Sequence, residues 1–267
     1  MIFEIFPVHA AVILICIEVI IAYAVNILSS TLYLHRYLAH RSIWYMDPRI
    51  IHVFRFTVWI CTGMMQRVWV GLHRIHHAYT DEQGDPHSPW IYGIWYIGFF
   101  QAVRYHFASI ELKDQIKIVT KDILPEKWDK LYDRHHLLGI ITLFVICCST
   151  CFYSPWGPLW GFLPGIITWL LHVLVVPIAG GAVNGLGHWQ KDDPLDRSKN
   201  VVERDYLVGG ELLHRNHHKH PWSARFEHIL GQLDLGWRLL QFLGRHGFVK
   251  GLVHHDGQGH KVVDFAD

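Results

Sequence analysis

Charge is scarce in this 267-residue chain: 18% of residues are Asp, Glu, Lys or Arg, against about 25% in ordinary soluble domains. The formal net charge is +1, so nothing pulls the chain toward nucleic acid, and no C2H2 spacing, basic helix or RNP-like run is present. Nucleic acid is therefore not an expected partner. Cysteine is rare too. Cys16, Cys61, Cys147, Cys148 and Cys151 all lie in apolar runs and do not make the paired C-x-x-C motifs of a zinc ribbon. They read as small buried hydrophobes rather than redox groups. H-E-x-x-H does not occur, which removes the general base of a metalloprotease. Lys and Arg are missing from Met1 to Leu34 and from the stretch between Arg134 and Lys191. The first gap argues against a cleaved signal peptide. There is no repeat, low-complexity tract or long linker, so residues 1–267 read as a single domain.

What the chain has instead is apolar length. It is 51% hydrophobic and 14% aromatic. Phe6 to Leu34 is almost wholly apolar and as a helix reaches roughly 43 Å, more than a hydrocarbon core of about 30 Å. Leu137–Tyr153 and Leu159–Val183 form a second block, broken by Ser154-Pro155-Trp156-Gly157-Pro158. That break reads as a tight transmembrane hairpin. All 24 Lys and Arg residues fall outside these spans on one predicted side, which the positive-inside rule makes cytoplasmic. Ile50–Val70 is apolar but holds His52, Arg55, Gln66 and Arg67, and is expected as a re-entrant or interfacial helix. Trp90–Phe100, rich in Trp and Tyr, suits a membrane interface. The expected fold is all-α, integral and multi-pass. It has about three transmembrane helices (6–34, 137–153, 159–183) plus the re-entrant helix, and a cytoplasmic helical cap of about 35–134 and 189–267. The Gly- and His-rich tail Gly247–Asp267 is expected to be poorly ordered.

Histidine is in excess, at 22 residues, and clusters. His35-Arg-Tyr-Leu-Ala-His40 comes first, then His73-Arg-Ile-His76-His77, then His214-Arg-Asn-His217-His218. On a helix the H-x-x-H-H positions i, i+3 and i+4 share a face, so their imidazoles can aim at one place. His35 and His40 would sit about 140° apart on an ideal α-helix, serving two metals or flanking a helix end. Asn184 and His188, at i and i+4, close the last span. Every group lies at or beyond the same predicted membrane surface, a topology read without using the histidines. Imidazole suits iron, zinc and copper. His35, His40, His73, His76, His77, His188, His214, His217 and His218 are too many for one metal and suit two. A structural zinc closes at four ligands, and no box contains Cys. Asp81, Glu82, Asp85, Glu203, Asp205 and Glu211 lie near the boxes and are candidates to orient the imidazole N–H groups.

These residues resemble the membrane fatty acyl desaturases, specifically the acyl-CoA delta-9 (stearoyl-CoA desaturase-like) branch. The resemblance rests on H-R-x-x-x-H at 35–40, H-R-x-H-H at 73–77, H-x-x-H-H at 214–218, and Asn184 with His188. The runs His77–Pro89 and Gly210–Pro221 add to it, and it spans about 30–240. It implies that the nine histidines ligate two irons, with Asn184 reaching one through a water and no catalytic residue beyond the metal ligands. It further implies O2 as co-substrate and a fatty acyl substrate held on CoA, carrier protein or lipid, receiving a cis double bond. Two electrons would come from a carrier such as ferredoxin, rubredoxin or cytochrome b5, since no flavin fingerprint or haem segment is present. Relatives often have two spans before the first box, where this chain has room for one. They also often carry Gly-Trp or Gly-Phe and Asn where the third box here has Leu-Leu and Arg215. Two other classes compete. A histidine-box hydroxylase or ketolase for alkanes, sterols or carotenoids would use the same cluster. A metal transporter or sensor needs ionisable groups in the spans, which offer only Glu18 and His172. His87 reads as a turn residue and His220 falls outside the third box's register. Arg36, Arg74 and Arg215 either pair carboxylates or face solvent. Arg41, Arg104, Lys113 and Lys117 read as topology charge rather than as a phosphate cradle.

Overall fold

A computed structural model describes residues 23–150, 158–189 and 198–265, with residues 13, 16, 19 and 20 of the N-terminal run. The described residues are mostly helical. α1 runs from residue 23 and winds into a π-helix over Ser29–Ala39. After strand β1 (Ile43–Met46), helices α2 (Pro48–Thr62) and α3 (Gln66–Tyr79) follow. Asp47 caps α2 by accepting from the Arg49 backbone N–H at 2.8 Å, with Pro48 at the first helical position. Gly63 ends α2 in the left-handed conformation, at φ 61°, and its N–H reaches the Trp59 carbonyl. A side chain there would strike His136 and Ile140. Ile50–Val70 is thus two helices broken at Gly63, not one continuous rod.

α4 (Pro89–Tyr92), α5 (Ile94–Glu111), α6 (Lys113–Val119) and α7 (Lys127–Arg134) lead to α8 (His136–Thr150) and α9 (Pro158–His188). The 31 residues of α9 are about 46 Å long. Its stretch Phe162–His188 is long and apolar enough to cross a membrane. Residues Lys127–Arg134 and His136–Ser149 pass the same test together but bend by 72°. The expected spans 137–153 and 159–183 coincide with α8 and α9 over their described residues. Thirteen of the 29 residues of the expected 6–34 span, and turn residues 154–157, lie outside the described residues. Glycines let the helices close up: a Cβ on Gly181 of α9 would lie 2.5 Å from the Ile97 and Gly98 carbonyls of α5. Gly165 meets the Cys147 carbonyl of α8 in the same way.

Two small sheets correct the all-α expectation. β1 pairs antiparallel with β4 (Val249–His255), which pairs antiparallel with β5 (His260–Val263). β2 (Arg204–Asp205) pairs with β3 (Leu233–Asp234) in parallel. The tail expected to be disordered therefore forms a hairpin. Its glycines serve the turn: Asp256 accepts from the Gln258 and Gly259 N–H groups around Gly257, at φ 95°. α10 (His214–Lys219) and α11 (Leu235–Arg245) complete the fold. The largest core joins α1, β1, α2, α11 and β4 through Leu34, Leu38, Ile43, Val58, Leu240 and Leu252. It anchors the end of α1 beside α3, α10 and the end of α9, where the boxes lie.

Candidate metal centre

The π-helix settles how His35 and His40 relate. Its i→i+5 bond, from the His40 N–H to the His35 carbonyl at 3.0 Å, stacks residue i+5 over residue i. The two rings end 4.8 Å apart instead of on opposite sides of a helix. Nine histidines then gather into two buried or half-buried groups. His35, His40, His73, His77 and His217 form one; His76, His188, His214 and His218 form the other. Within each group the ligand nitrogens lie within 4.8 Å of one another.

The H-x-x-H-H boxes do not aim all their rings at one point. In α3 the i, i+4 pair His73 and His77 serves the first group, and His76 the second. In α10 the pair His214 and His218 serves the second group, and His217 the first. Each short helix straddles both groups.

The Nε2 atoms face inward. His40 and His73 approach to 2.8 Å, His77 and His217 to 2.9 Å, His188 and His214 to 2.9 Å, and His35 and His217 to 3.1 Å. Two donors each about 2.1 Å from one cation and at right angles stand about 3 Å apart. The donor set therefore fits one cation per group. Burial, reinforced by neighbouring imidazoles, holds His40, His73, His77, His214, His217 and His218 well below the ordinary histidine value. They are neutral at pH 7, the form in which imidazole binds a metal.

Carboxylates sit behind the rings. Asp85 meets His76 Nδ1 at 2.9 Å, Glu211 meets His35 Nδ1 at 2.7 Å, and Asp81 meets His188 Nδ1 at 3.2 Å. Burial alone would raise Asp85, but its bonds and charge interactions with His76 and His87 outweigh it and hold the carboxyl well below the usual range. Asp81 turns the chain after α3 at φ 61°, a conformation Asp tolerates better than most residues, and accepts from the Ser88 hydroxyl at 2.7 Å. The other three expected carboxylates do other work. Asp205 accepts from the backbone of Leu207, Val208, Gly210 and Leu212, Glu203 accepts from Gln232, and Glu82 is exposed.

Arg36 is fully buried. It donates to Asp234 at 3.0 Å and to the carbonyls of Gly209 and Ala224, and lies 4.0 Å over the Phe226 ring. Arg74 ties Asp122 to the carbonyls of Leu38 and Ala39 at the end of α1. Both therefore pair carboxylates and position boxes.

Several residues escaped the sequence reading. His87, taken there as a turn residue, is buried and stacks 4.1 Å over His76. Trp69 stacks on His73 with planes 8° apart. Thr31 donates its hydroxyl to Glu211. Only the α3 register, with Trp69 at i−4 from His73, signals any of these.

A cavity of about 410 Å³ opens beside the groups, lined by Ile27, Val68, Trp69, Val176 and Val183. His35, His73, His214, Glu211 and Asn184 also face it. Asn184 is 9% exposed.

The family model for fatty acid desaturase matches residues 9–246. A delta-9 desaturase-like 5 protein of Arabidopsis thaliana is 28% identical over 239 residues, 84% of this chain and 73% of that relative. An sn-1 stearoyl-lipid 9-desaturase of Anabaena variabilis is 31% identical over 229 residues, 81% of this chain and 76% of its own. An acyl-CoA 5-desaturase of Anemone leveillei is 30% identical over 237 residues, covering 83% and 67%. The family match takes in every histidine of both groups, so the chain belongs to the fatty acid desaturase family and is an oxidoreductase.

Proposed function

We propose that the protein introduces a cis double bond into a saturated fatty acyl chain, with two irons held by the nine histidines. One observation carries this reading: two convergent imidazole groups border a largely apolar cavity. His35, His40, His73, His77 and His217 hold one iron. His76, His188, His214 and His218 hold the other, with Asn184 reaching it through a water. When bound and reduced, the iron pair supplies the O2 chemistry needed to break unactivated C–H bonds.

The chain's own residues do the rest. Asp85, Asp81 and Glu211 fix the rings of His76, His188 and His35 so that their inner nitrogens stay aimed. Trp69, Val68, Val176 and Val183 exclude water and hold one stretch of acyl chain against the histidines. The double-bond position is delta-9, in line with the names of several relatives. Electrons come from an external carrier such as ferredoxin, rubredoxin or cytochrome b5. The protein is one domain that spans the bilayer about three times and presents the histidines at the cytoplasmic side.

The test is to supply iron, O2, a reducing carrier and saturated acyl substrates to protein in lipid, and to analyse the products by mass spectrometry. An internal alkene is expected. An alcohol or ketone without alkene would favour a hydroxylase or ketolase instead.

A further inference from the structure

We infer that α7 is a docking helix for anionic phospholipid: it lies in the bilayer surface, and its outer stripe of Lys127, Lys130 and Arg134 holds acidic headgroups of the leaflet that α8 enters. This rests on the membrane placement proposed above and adds a lipid partner that is not the substrate.

The first ground is how α7 divides its eight residues. At about 100° per residue they fall on three faces. Asp129 and Asp133 make one face, and it turns inward. Asp129 meets the Arg55 guanidinium at 2.7 Å and accepts from Gln66, whose amide oxygen accepts from the Tyr33 hydroxyl. Asp129 also accepts from the Glu126 N–H at 2.8 Å, and Glu126 itself meets Arg55 at 3.1 Å. Asp133 lines the same small pocket as Arg55 and Arg67. The acidic side chains of α7 are therefore turned toward the arginines of α2 and α3. Trp128, Leu131 and Tyr132 make the second face, and the first two are exposed. Lys127, Lys130 and Arg134 make the third, within about 60° of one another, and all three are exposed. With its acidic face locked to the body of the protein, α7 shows its surroundings an apolar face beside a basic one.

The second ground is what the apolar face joins. Trp128 lies 5.0 Å from the His52 ring and Tyr132 stacks 5.0 Å from Trp59, both on α2, where Val53 and Phe56 are exposed. α7 bends by 72° into α8, whose Leu137, Leu138 and Ile141 are exposed too. In water such a patch is a liability; continuous with a helix that enters the bilayer, it is the buried side of an interfacial helix. With α8 crossing, the bend lays α7 close to the membrane plane. Trp128 and Tyr132 are the residue types that anchor at that depth.

The third ground is charge complementarity. Lysine stems can run along the apolar boundary while their ammonium groups reach the headgroups. Each basic side chain at an anionic membrane surface raises binding about fivefold. Three in one stripe, beside an apolar face, fit a leaflet of acidic lipid.

The test incubates the full-length protein in detergent with equal amounts of phosphatidylglycerol and phosphatidylcholine and counts the lipids retained per chain by native mass spectrometry. Phosphatidylglycerol should be retained in about tenfold excess. Lys130→Gln should lower its retention about fivefold, and Lys127→Gln/Lys130→Gln/Arg134→Gln about tenfold or more, with phosphatidylcholine unchanged. Lys127→Arg/Lys130→Arg should retain it fully. So should Lys113→Gln/Arg245→Gln/Lys250→Gln, which removes equal charge from exposed positions on α6, α11 and β4. Equal retention of the two lipids, as for a stripe that serves an acidic protein in water, overturns the inference. Full phosphatidylglycerol retention by the α7 triple variant does so as well. A phosphatidylcholine with a diazirine in its tail, used in nanodiscs, tests the placement separately, by labelling α8 at Ile141 and Val145. Labelled α8 with unchanged retention in the α7 variant sinks this inference alone; unlabelled α8 sinks the placement.

Discussion

Asp85, behind His76, is itself buried and braced by the backbone N–H groups of Asp81 and His87. Asp85→Asn keeps the shape but removes the charge behind the ring. Iron affinity should fall about 10- to 100-fold, read as iron per chain after dialysis against a graded chelator. Arg36 makes a different kind of prediction. Both members of the Arg36–Asp234 pair are 0% exposed. Arg36→Met strands a buried carboxylate and should destabilise the fold by about 3–5 kcal/mol. Thermal unfolding in detergent measures this, and an unchanged midpoint would show that the pair does not hold α1 in place.

At the scale of elements, the α5–α9 crossing is a close backbone approach with a consequence for the centre, since α9 carries His188 and Asn184. A methyl group on Gly181 would lie 2.5 Å from two backbone carbonyls, which cannot swing aside as a side chain can. Gly181→Ala should cost about 1–3 kcal/mol and lower iron occupancy with it. Gly98→Ala, on the facing helix and with no neighbour at its Cβ position, should do far less; parallel melting curves of the two variants provide the check. The elements also show what was legible beforehand. α3 and α10 could be read because H-x-x-H-H is a local pattern at helical spacing. The π-helix could not, because His35 and His40 sit out of phase on an α-helix and only an i→i+5 ladder aligns them. The β4–β5 hairpin was hidden because its partner, β1, lies some two hundred residues earlier, and its turn glycines mimic a disordered composition. His87 was hidden because burial by distant α5, through Tyr105, leaves no trace in the local Asp-Pro-His-Ser-Pro run.

For the whole molecule, the buried histidines link stability to pH. Their folded values lie below the ordinary one, so below a pH of about 6.5 the unfolded chain binds more protons than the folded one. Their contribution is therefore intact above that pH and is lost as pH falls. Metal-free protein should lose unfolding temperature steadily between about pH 7 and pH 5, and loaded protein should keep its iron to lower pH, since a bound ion stabilises the folded state and its neutral ligands. A flat profile by calorimetry would mean that the rings are not neutral and buried together. The straddling of both groups by α3 and α10 reaches further still. Seating an ion among His73, His77 and His217 freezes the same two helical turns that present His76, His214 and His218 to its neighbour. Filling the first berth thus prepares the second, and a titration followed by native mass spectrometry should show empty and doubly filled chains with almost none in between.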